Sequence, residues 1–329
     1  MIMKRKSVLA ITALLIGSTM FASCTNNNQK VQFSEYWHKD MNTPSATVLE
    51  QLTYKVETDT SSAGSATYYS VDYNGTYTTK LEKDADNNYV YTTELSVTAV
   101  YDYNTGKSPE LKDSVKSTVV FQNAANALKP VRAEKEIVSH SPINGEIDAN
   151  TDFNAWKTHC KVVVDYSKNQ STVYNLLRAE NENGYKTTDE IEIEDKDAKK
   201  YSYLDNEQLL FALRGINPTT TTSPTLLVYA PFSGAVQQIK ATIGTLTVAD
   251  DFAFQSVDSG AEVKEDISYY PITLSINAKN SGAEHTVWIA KATNPNNNQY
   301  RNVMLKYQAP IAYNLGNLVY TLTSADFID

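Results

Sequence analysis

Apolar and polar residues alternate through most of the chain from residue 49 onwards. In 52–57, Leu52, Tyr54 and Val56 would lie on one face of a strand, with polar residues on the other face. The same period of two returns in runs such as "DSVKSTVVFQ", "CKVVVDYS" and "NLVYTLTS". The pattern predicts a mainly β protein with a large, curved, antiparallel sheet, shaped as a half-barrel or a sandwich.

One segment in the middle of the chain breaks this alternation. "LDNEQLLFALRGINP" places Asp205, a good capping residue, before a cluster of apolar residues, and ends with Gly215 and Pro218. A cap, apolar turns, a glycine and a proline in this order are typical of a short helix. We therefore expect one short central helix near 205–214.

Two other stretches predict breaks between strands. Asn74-Gly75 lies between two strand-like runs, and this dipeptide favours the tight turns of hairpins. The stretch 140–156 is rich in turn residues and poor in strand signals. We interpret it either as a long connection within one sheet or as a break between two lobes.

The N-terminus has the layout of a secretory signal peptide. A cationic start at Lys4, Arg5 and Lys6 precedes an apolar segment over 8–21, which is shorter than the roughly 20 residues of a membrane-spanning helix. The residues at its end, "FASC" (21–24), resemble the lipobox of bacterial lipoproteins, in which the cysteine carries diacylglycerol and becomes the first residue. The resemblance implies lipidation of Cys24, and two acyl chains anchor a protein stably.

This layout divides the chain into three parts. We expect a signal peptide over 1–23, a lipidated Cys24 with a flexible polar tether over 24–48, and a single β-rich extracytoplasmic domain over 49–329. The domain would face outside the cytoplasm, on the outer face of a plasma membrane or on an outer membrane.

The charge of the chain excludes one class of partner. Three of the 29 basic residues and none of the 38 acidic residues lie in the predicted signal peptide, so the mature chain has an excess of about twelve negative charges. Nucleic-acid phosphates require a basic surface. We therefore expect no nucleic-acid partner.

Three stretches together are similar to a family of bacterial envelope proteins, domain of unknown function 3108. They are "LTYKV…SSAGSATYYSV" (52–71), "LDNEQLLFALRGI" (204–216) and "VWIAKATNPNNNQYRNVMLKYQAPIAYNLGNLVYTL" (287–322). The family usually has a proline where Asn302 stands here. The resemblance implies a curved antiparallel sheet with no established activity, and its matched, candidate ligand-facing residues are Tyr54, Gly64, Leu213, Arg214, Trp288, Arg301, Val303 and Gly316.

The sequence offers no pattern typical of catalysis or of metal binding. The four histidines are scattered, no Gly-x-Ser-x-Gly motif is present, and Cys160 is the single cysteine of the predicted mature body. His159 and Cys160 are neighbours on a predicted strand and would point to opposite faces. We predict no catalytic residue, no metal and no cofactor, with a hydrolytic enzyme as the weakest alternative.

The 22 tyrosines suggest two kinds of binding. A concave sheet face lined by tyrosine and aliphatic residues would receive an amphiphile or another envelope component, since such pockets are mostly apolar. Alternatively, exposed strand edges and tyrosine patches would bind a protein or a glycan, as in a structural or adhesive surface module. The first interpretation is our main functional hypothesis from sequence.

Overall fold

The computed structural model describes residues 48–64, 69–124, 127–142, 147–177, 187–192, 203–218, 223–231, 235–276, 284–291 and 300–328. These residues form 17 strands that belong to one sheet, which confirms the mainly β fold class. The predicted signal peptide, Cys24 and nearly all of the predicted tether lie outside the described residues. In the part of the chain that is described, no helix has the length and apolar character needed to cross a bilayer.

The strands vary from two to 15 residues in length. The first nine are β1 (Val48–Asp59), β2 (Tyr69–Lys83), β3 (Tyr89–Tyr103), β4 (Gly106–Lys107), β5 (Leu111–Ala124), β6 (Ala127–His140), β7 (Lys157–Asp165), β8 (Gln170–Asn175) and β9 (Thr187–Glu192). The others are β10 (Leu204–Asp205), β11 (Thr225–Ala230), β12 (Ala235–Ile243), β13 (Thr247–Ser256), β14 (Glu262–Ile276), β15 (His285–Ala290), β16 (Met304–Pro310) and β17 (Asn317–Phe327).

Hydrogen-bonded pairing gives a long, mainly antiparallel sheet that is partly closed, with β10 and β11 paired in parallel. The order is β9-β8-β7-β6-β5-β3-β2-β1-β17-β16-β15-β14-β12-β11-β10, with β4 beside the end of β3. β13 pairs with β14 and, in parallel, with β17. Strands β13 to β17 thus form a closed ring, and the sheet includes a barrel rather than being a simple half-barrel or sandwich.

The predicted hairpin at Asn74-Gly75 is wrong. Both residues lie in the middle of β2, which is a continuous strand of 15 residues. A Cβ atom added at Gly75 would lie 2.0 Å from the carbonyl oxygen of Ser96 on β3. The glycine therefore permits the close approach of two strand backbones, and it is not needed for a turn.

The connection over 141–156 joins two strands that are neighbours in the sheet. It contains a 3-10 turn, Phe153–Trp156, capped by the Asp152 side chain. β6 and β7, on either side of it, pair over nine residues from Arg132↔Asp165 to His140↔Lys157. β6 and β7 therefore belong to one continuous sheet. The sequence had left two interpretations of 140–156, a long connection within one sheet or a break between two lobes.

The short central helix lies where it was predicted. Asp205 caps a 3-10 turn, Asn206–Gln208, that leads into α1 (Leu209–Leu213), and Gln208 completes a capping box. All five residues of α1 are buried. The Phe211 ring packs against Tyr91 of β3 and Phe121 of β5, at centroid distances of 5.1 and 5.4 Å. The helix therefore fills the inside of the curved sheet.

Candidate functional site

The C-terminal end of α1 is held by a buried ion pair. Arg214 donates from Nη1 and Nη2 to the two carboxylate oxygens of Glu50 on β1, at 2.7 and 2.8 Å. Both side chains are at most 4% exposed. Burial by itself would lower the pKa of Arg214, but the Glu50 charge and its hydrogen bonds raise it overall. Arg214 is therefore charged, and its positive charge is compensated by Glu50.

The second arginine of the resemblance lies in the same network. Arg301 has a positive φ of 47°, and its carbonyl oxygen accepts a bond of 2.8 Å from Arg214 Nη2. Its own guanidinium donates to the carbonyl oxygens of Leu49 and Ile328, at 2.8 and 3.2 Å. These bonds join the helix to the start of the first strand and to the residue that follows the last strand.

Asn302, where the family usually has proline, belongs to the network as well. Its Nδ2 donates to the carbonyl oxygen of Arg214 at 3.0 Å, and its φ is 50°. Proline would fit neither the positive φ nor the side-chain bond. The departure from the family pattern therefore has a structural role in this chain.

The remaining matched residues serve the core or the ends of strands. Leu213, Val303 and Tyr54 are buried apolar or aromatic residues, none more than 1% exposed. Trp288, on β15, is half-buried between residues of the two adjacent strands. It stacks on Tyr269 of β14 at 4.5 Å, and Lys306 Nζ of β16 lies 4.9 Å from its ring centroid.

The two matched glycines lie together at the opposite end of β1 and β17. Gly64 donates its N–H to the carbonyl oxygen of Asn314 at 2.9 Å. Gly316 has a φ of 103°, and a Cβ atom there would lie 2.3 Å from the carbonyl oxygen of Asp59. The eight matched residues are therefore spread over the two ends and the core, and the described structure does not bring all of them to one ligand site.

The concave face predicted to receive an amphiphile is occupied by the protein's own side chains where it is described. Besides α1, a row of buried rings crosses the inner face, with centroid distances of 5.7 Å for Tyr54–Tyr77, 5.4 Å for Tyr77–Tyr320 and 5.2 Å for Tyr307–Tyr320. Burial raises the pKa values of Tyr54, Tyr77, Tyr307 and Tyr320. Binding of an amphiphile inside the sheet stays a prediction.

A second polar cluster lies at the N-terminal end of the helix, and the sequence reasoning missed it. Lys135, on the inner face of β6, forms an ion pair with Glu207, and their side chains are 9% and 6% exposed. Asn206 Nδ2 donates to the same oxygen, Glu207 Oε1, at 3.0 Å. Beside them the Tyr166 hydroxyl donates a short hydrogen bond to Asp205.

A pocket beside this cluster is small. Its apolar lining is provided by Val119, Ala133, Val162, Val164 and Pro231, and its cavity volume is about 10 Å³. That is close to the least space that a water molecule requires. Burial is the main cause that raises the pKa of Asp205 from 3.8 to about 6. The pocket could hold a small molecule of the size of water, and it is too small for an amphiphile.

The three histidine side chains of the described residues each contact a hydrogen-bonding partner, and the one described cysteine is buried. His159 Nε2 lies 2.8 Å from Glu136 Oε1, while Cys160 is 6% exposed, and burial raises the pKa of its thiol to about 11. His140 Nδ1 contacts Asp113 Oδ1 at 2.7 Å. Among the residues that the structure describes, no three His, Cys, Asp or Glu side chains are grouped to hold a metal ion.

The outer surface has a distinctive feature in residues 246–266, which we call the β13–β14 arm. Leu246, Val248 and Val257 are exposed by 52%, 47% and 55%. β13 pairs with β14 along one edge, and in the described structure its other edge pairs with β17 only at Gln255 and Ser256. The arm thus combines exposed aliphatic side chains with an open strand edge.

Comparison with known proteins identifies no family for the chain. No family model matches it, and no curated protein matches it. A similar solved structure is titled "Crystal Structure of Beta-barrel-like Protein of Domain of Unknown Function DUF1849 from Brucella abortus". It is 10% identical, the match covers 87% of this chain and 100% of that chain, and the TM-score is 0.47. DUF1849 differs from domain of unknown function 3108, and the resemblance to the latter stays a prediction.

Proposed function

We propose that this chain is a lipid-anchored envelope protein without enzymatic activity, and that its β13–β14 arm binds a protein partner outside the cytoplasm. The proposal takes up the surface-module alternative rather than the interior amphiphile site. Anchoring through Cys24 rests on the signal-peptide pattern and on the lipobox resemblance. The binding surface rests on the exposure of the arm.

The observation that carries the proposal is the edge of β13 that no described strand pairs with before Gln255, next to exposed aliphatic residues. An unpaired strand edge offers backbone N–H and C=O groups to an extended segment of another protein. Leu246 and Val248, at the start of β13, would add apolar contacts to those backbone bonds. Proteins usually protect their unpaired strand edges, because such edges associate non-specifically with other chains.

The charge of the arm favours a partner with basic residues. Six exposed acidic residues and one exposed lysine lie in it. They are Asp250, Asp251, Asp258, Glu262, Glu265, Asp266 and Lys264. Opposite charge on a partner would speed association and fix orientation, and like charge would exclude other proteins. We infer a partner segment that is extended, apolar and basic.

Affinity capture from intact envelopes tests this function. The full chain, tagged at its C-terminus, is cross-linked in growing cells and purified after membrane solubilisation. The variant L246S/V248S should lose the captured protein or retain less than a tenth of it, and raised salt should weaken the capture because exposed charges are screened.

A matched control separates the arm from a general effect of surface polarity. Tyr313 is 52% exposed at the opposite end of β17, so Y313S changes an equally accessible side chain. Capture that is unchanged in Y313S and lost in L246S/V248S supports the proposal. Equal capture by the wild type and L246S/V248S would show that the arm is not the binding surface.

A further inference from the structure

Two side chains beside the N-terminal end of the helix contact one carboxylate oxygen of a third. Glu207 Oε1 contacts Lys135 Nζ and also accepts the Nδ2 hydrogen bond of Asn206, at 3.0 Å. Lys135 is on β6, while Asn206 and Glu207 are 71 and 72 positions further along the chain, in the 3-10 turn. An amine and a carboxamide from distant parts of the sequence thus share one carboxylate.

The side chains of this group are buried. Lys135, Asn206 and Glu207 are 7%, 4% and 6% exposed. The adjacent pocket has a volume of about 10 Å³, and its lining combines apolar side chains with Lys135, Asn206 and Glu207 themselves. A desolvated lysine is a stronger nucleophile than one in water, and a carboxylate within hydrogen-bond reach can act as its proton acceptor.

We propose that Lys135 and Asn206 condense to an intramolecular amide, with Glu207 transferring the protons. The product is an isopeptide bond that fixes the helix covalently to β6. The observation that supports it is the shared Glu207 oxygen, which connects the nucleophile to the leaving group. This modification is independent of the proposed binding at the β13–β14 arm.

The reaction is balanced by the three side chains alone. Glu207 takes a proton from the ammonium of Lys135, and the Nζ lone pair attacks Cγ of Asn206. A second proton passes from Nζ through Glu207 to Nδ2, and the Cγ–Nδ2 bond breaks. Nδ2 leaves as ammonia and takes up the proton that Glu207 still holds, so it departs as ammonium. The Nζ–Cγ amide remains, and Glu207 returns to its carboxylate form. No oxidant, metal or cofactor is required, and the small pocket has a volume comparable to that of the leaving group.

Peptide mapping of the purified full chain tests the proposal. Trypsin cannot cleave after an acylated Lys135, so the bonded protein should give peptide 133–157 joined to peptide 201–214, lighter than their sum by one ammonia molecule. An unbonded protein gives 133–135, 136–157 and 201–214 as separate peptides. Finding only the separate peptides in the folded protein would overturn the proposal.

Two variants identify the side chains that form the amide bond. N206D keeps the size of the side chain, and its joined peptides should be lighter by one water molecule instead of one ammonia. K135R keeps a cation beside Glu207 but cannot form the amide, so the joined species should be absent. A wild-type joined peptide that is lighter by one water would place the bond on Glu207 and overturn the assignment to Asn206.

A third pair of variants tests the role of Glu207 and the specificity of the site. E207Q removes the proton acceptor at nearly constant volume, and the joined species should fall at least tenfold after the same expression time. Lys161 and Glu134 form an ion pair of 2.6 Å between the neighbouring strands, but their side chains are 30% and 40% exposed. K161R should retain the joined species in full, and its loss there would contradict a site-specific reaction.

Discussion

The guanidinium of Arg214 and the carboxylate of Glu50 form a bidentate pair inside the sheet, at 2.7 and 2.8 Å, although 164 positions separate them in the chain. The pair fixes the end of the central helix to the first strand. Because Arg214 also donates to the carbonyl oxygen of Arg301, it connects three distant segments. We regard this pair as a structural element of the body.

Removal of one partner from this pair should strongly destabilise the protein. R214M leaves the Glu50 carboxylate buried without a compensating charge, and we expect the free energy of unfolding to fall by about 3–5 kcal/mol. The double variant E50L/R214M removes both charges and should recover much of that loss. Urea denaturation measures both.

An exposed ion pair provides the control for this experiment. Lys116 and Glu94 are 3.7 Å apart, with side chains 64% and 53% exposed. K116M should change the free energy of unfolding by less than about 1 kcal/mol. If R214M were as mild as K116M, the buried pair would have no structural role.

The stability of the protein should depend on pH through Asp205. Its pKa is raised to about 6, so the folded state binds the proton more tightly than the unfolded state. The stabilising contribution is complete below the unfolded pKa of about 4 and is lost as the pH rises through about 6. Relative to D205N, the wild type should lose about 2–3 kcal/mol between these limits, since each pKa unit corresponds to about 1.4 kcal/mol.

Urea denaturation of the wild type and D205N at several pH values checks this dependence. The informative quantity is the change with pH of the difference in free energy of unfolding between the wild type and D205N. The absolute difference is not informative, because D205N also weakens the helix cap. A constant difference from pH 4 to pH 7 would show that Asp205 is not the titrating group.

Gly316 should tolerate no side chain. G316A places a Cβ atom 2.3 Å from the Asp59 carbonyl oxygen at a φ of 103°, and we expect a loss of about 3 kcal/mol or more in the free energy of unfolding. G260A is the matched control, because Gly260 has a φ of 62° but open space around it. G260A should lower the free energy of unfolding only by the cost of holding alanine in a left-handed backbone conformation, about 1–2 kcal/mol. Equal losses would mean that the contact with Asp59 is unimportant.

Local sequence signals predicted the helix but misled at Gly75. The helix carries its own cap at Asp205 and its own apolar cluster, so its existence follows from neighbouring residues. At Asn74-Gly75 the same kind of local signal suggested a turn. Glycine is needed at position 75 because the backbone of Ser96 on β3 lies close to it. A contact with another strand produces no pattern in the neighbouring sequence.

Part of the cluster around Arg214 could be predicted from the sequence, whereas the cluster around Lys135 and Glu207 was missed. The family resemblance pointed to Arg214 and Arg301 but gave no partner for either, since Glu50 and Leu49 are distant in sequence. A signal for the missed residues did exist. Glu50 has the same strand parity as Leu52 and Tyr54. A charged residue at an inward position indicates a buried partner, and Lys135, between Ala133 and Ile137, follows the same rule.

Site-specific photo-cross-linking in intact cells tests the proposed binding surface most directly. A photoreactive phenylalanine analogue replaces Val248 on the arm in one strain and Tyr313, at the opposite end of β17, in another. We expect light to join a distinct envelope protein to the chain from position 248 and not from position 313. Absence of any protein adduct at position 248, or the same adducts from both positions, would contradict binding through the β13–β14 arm.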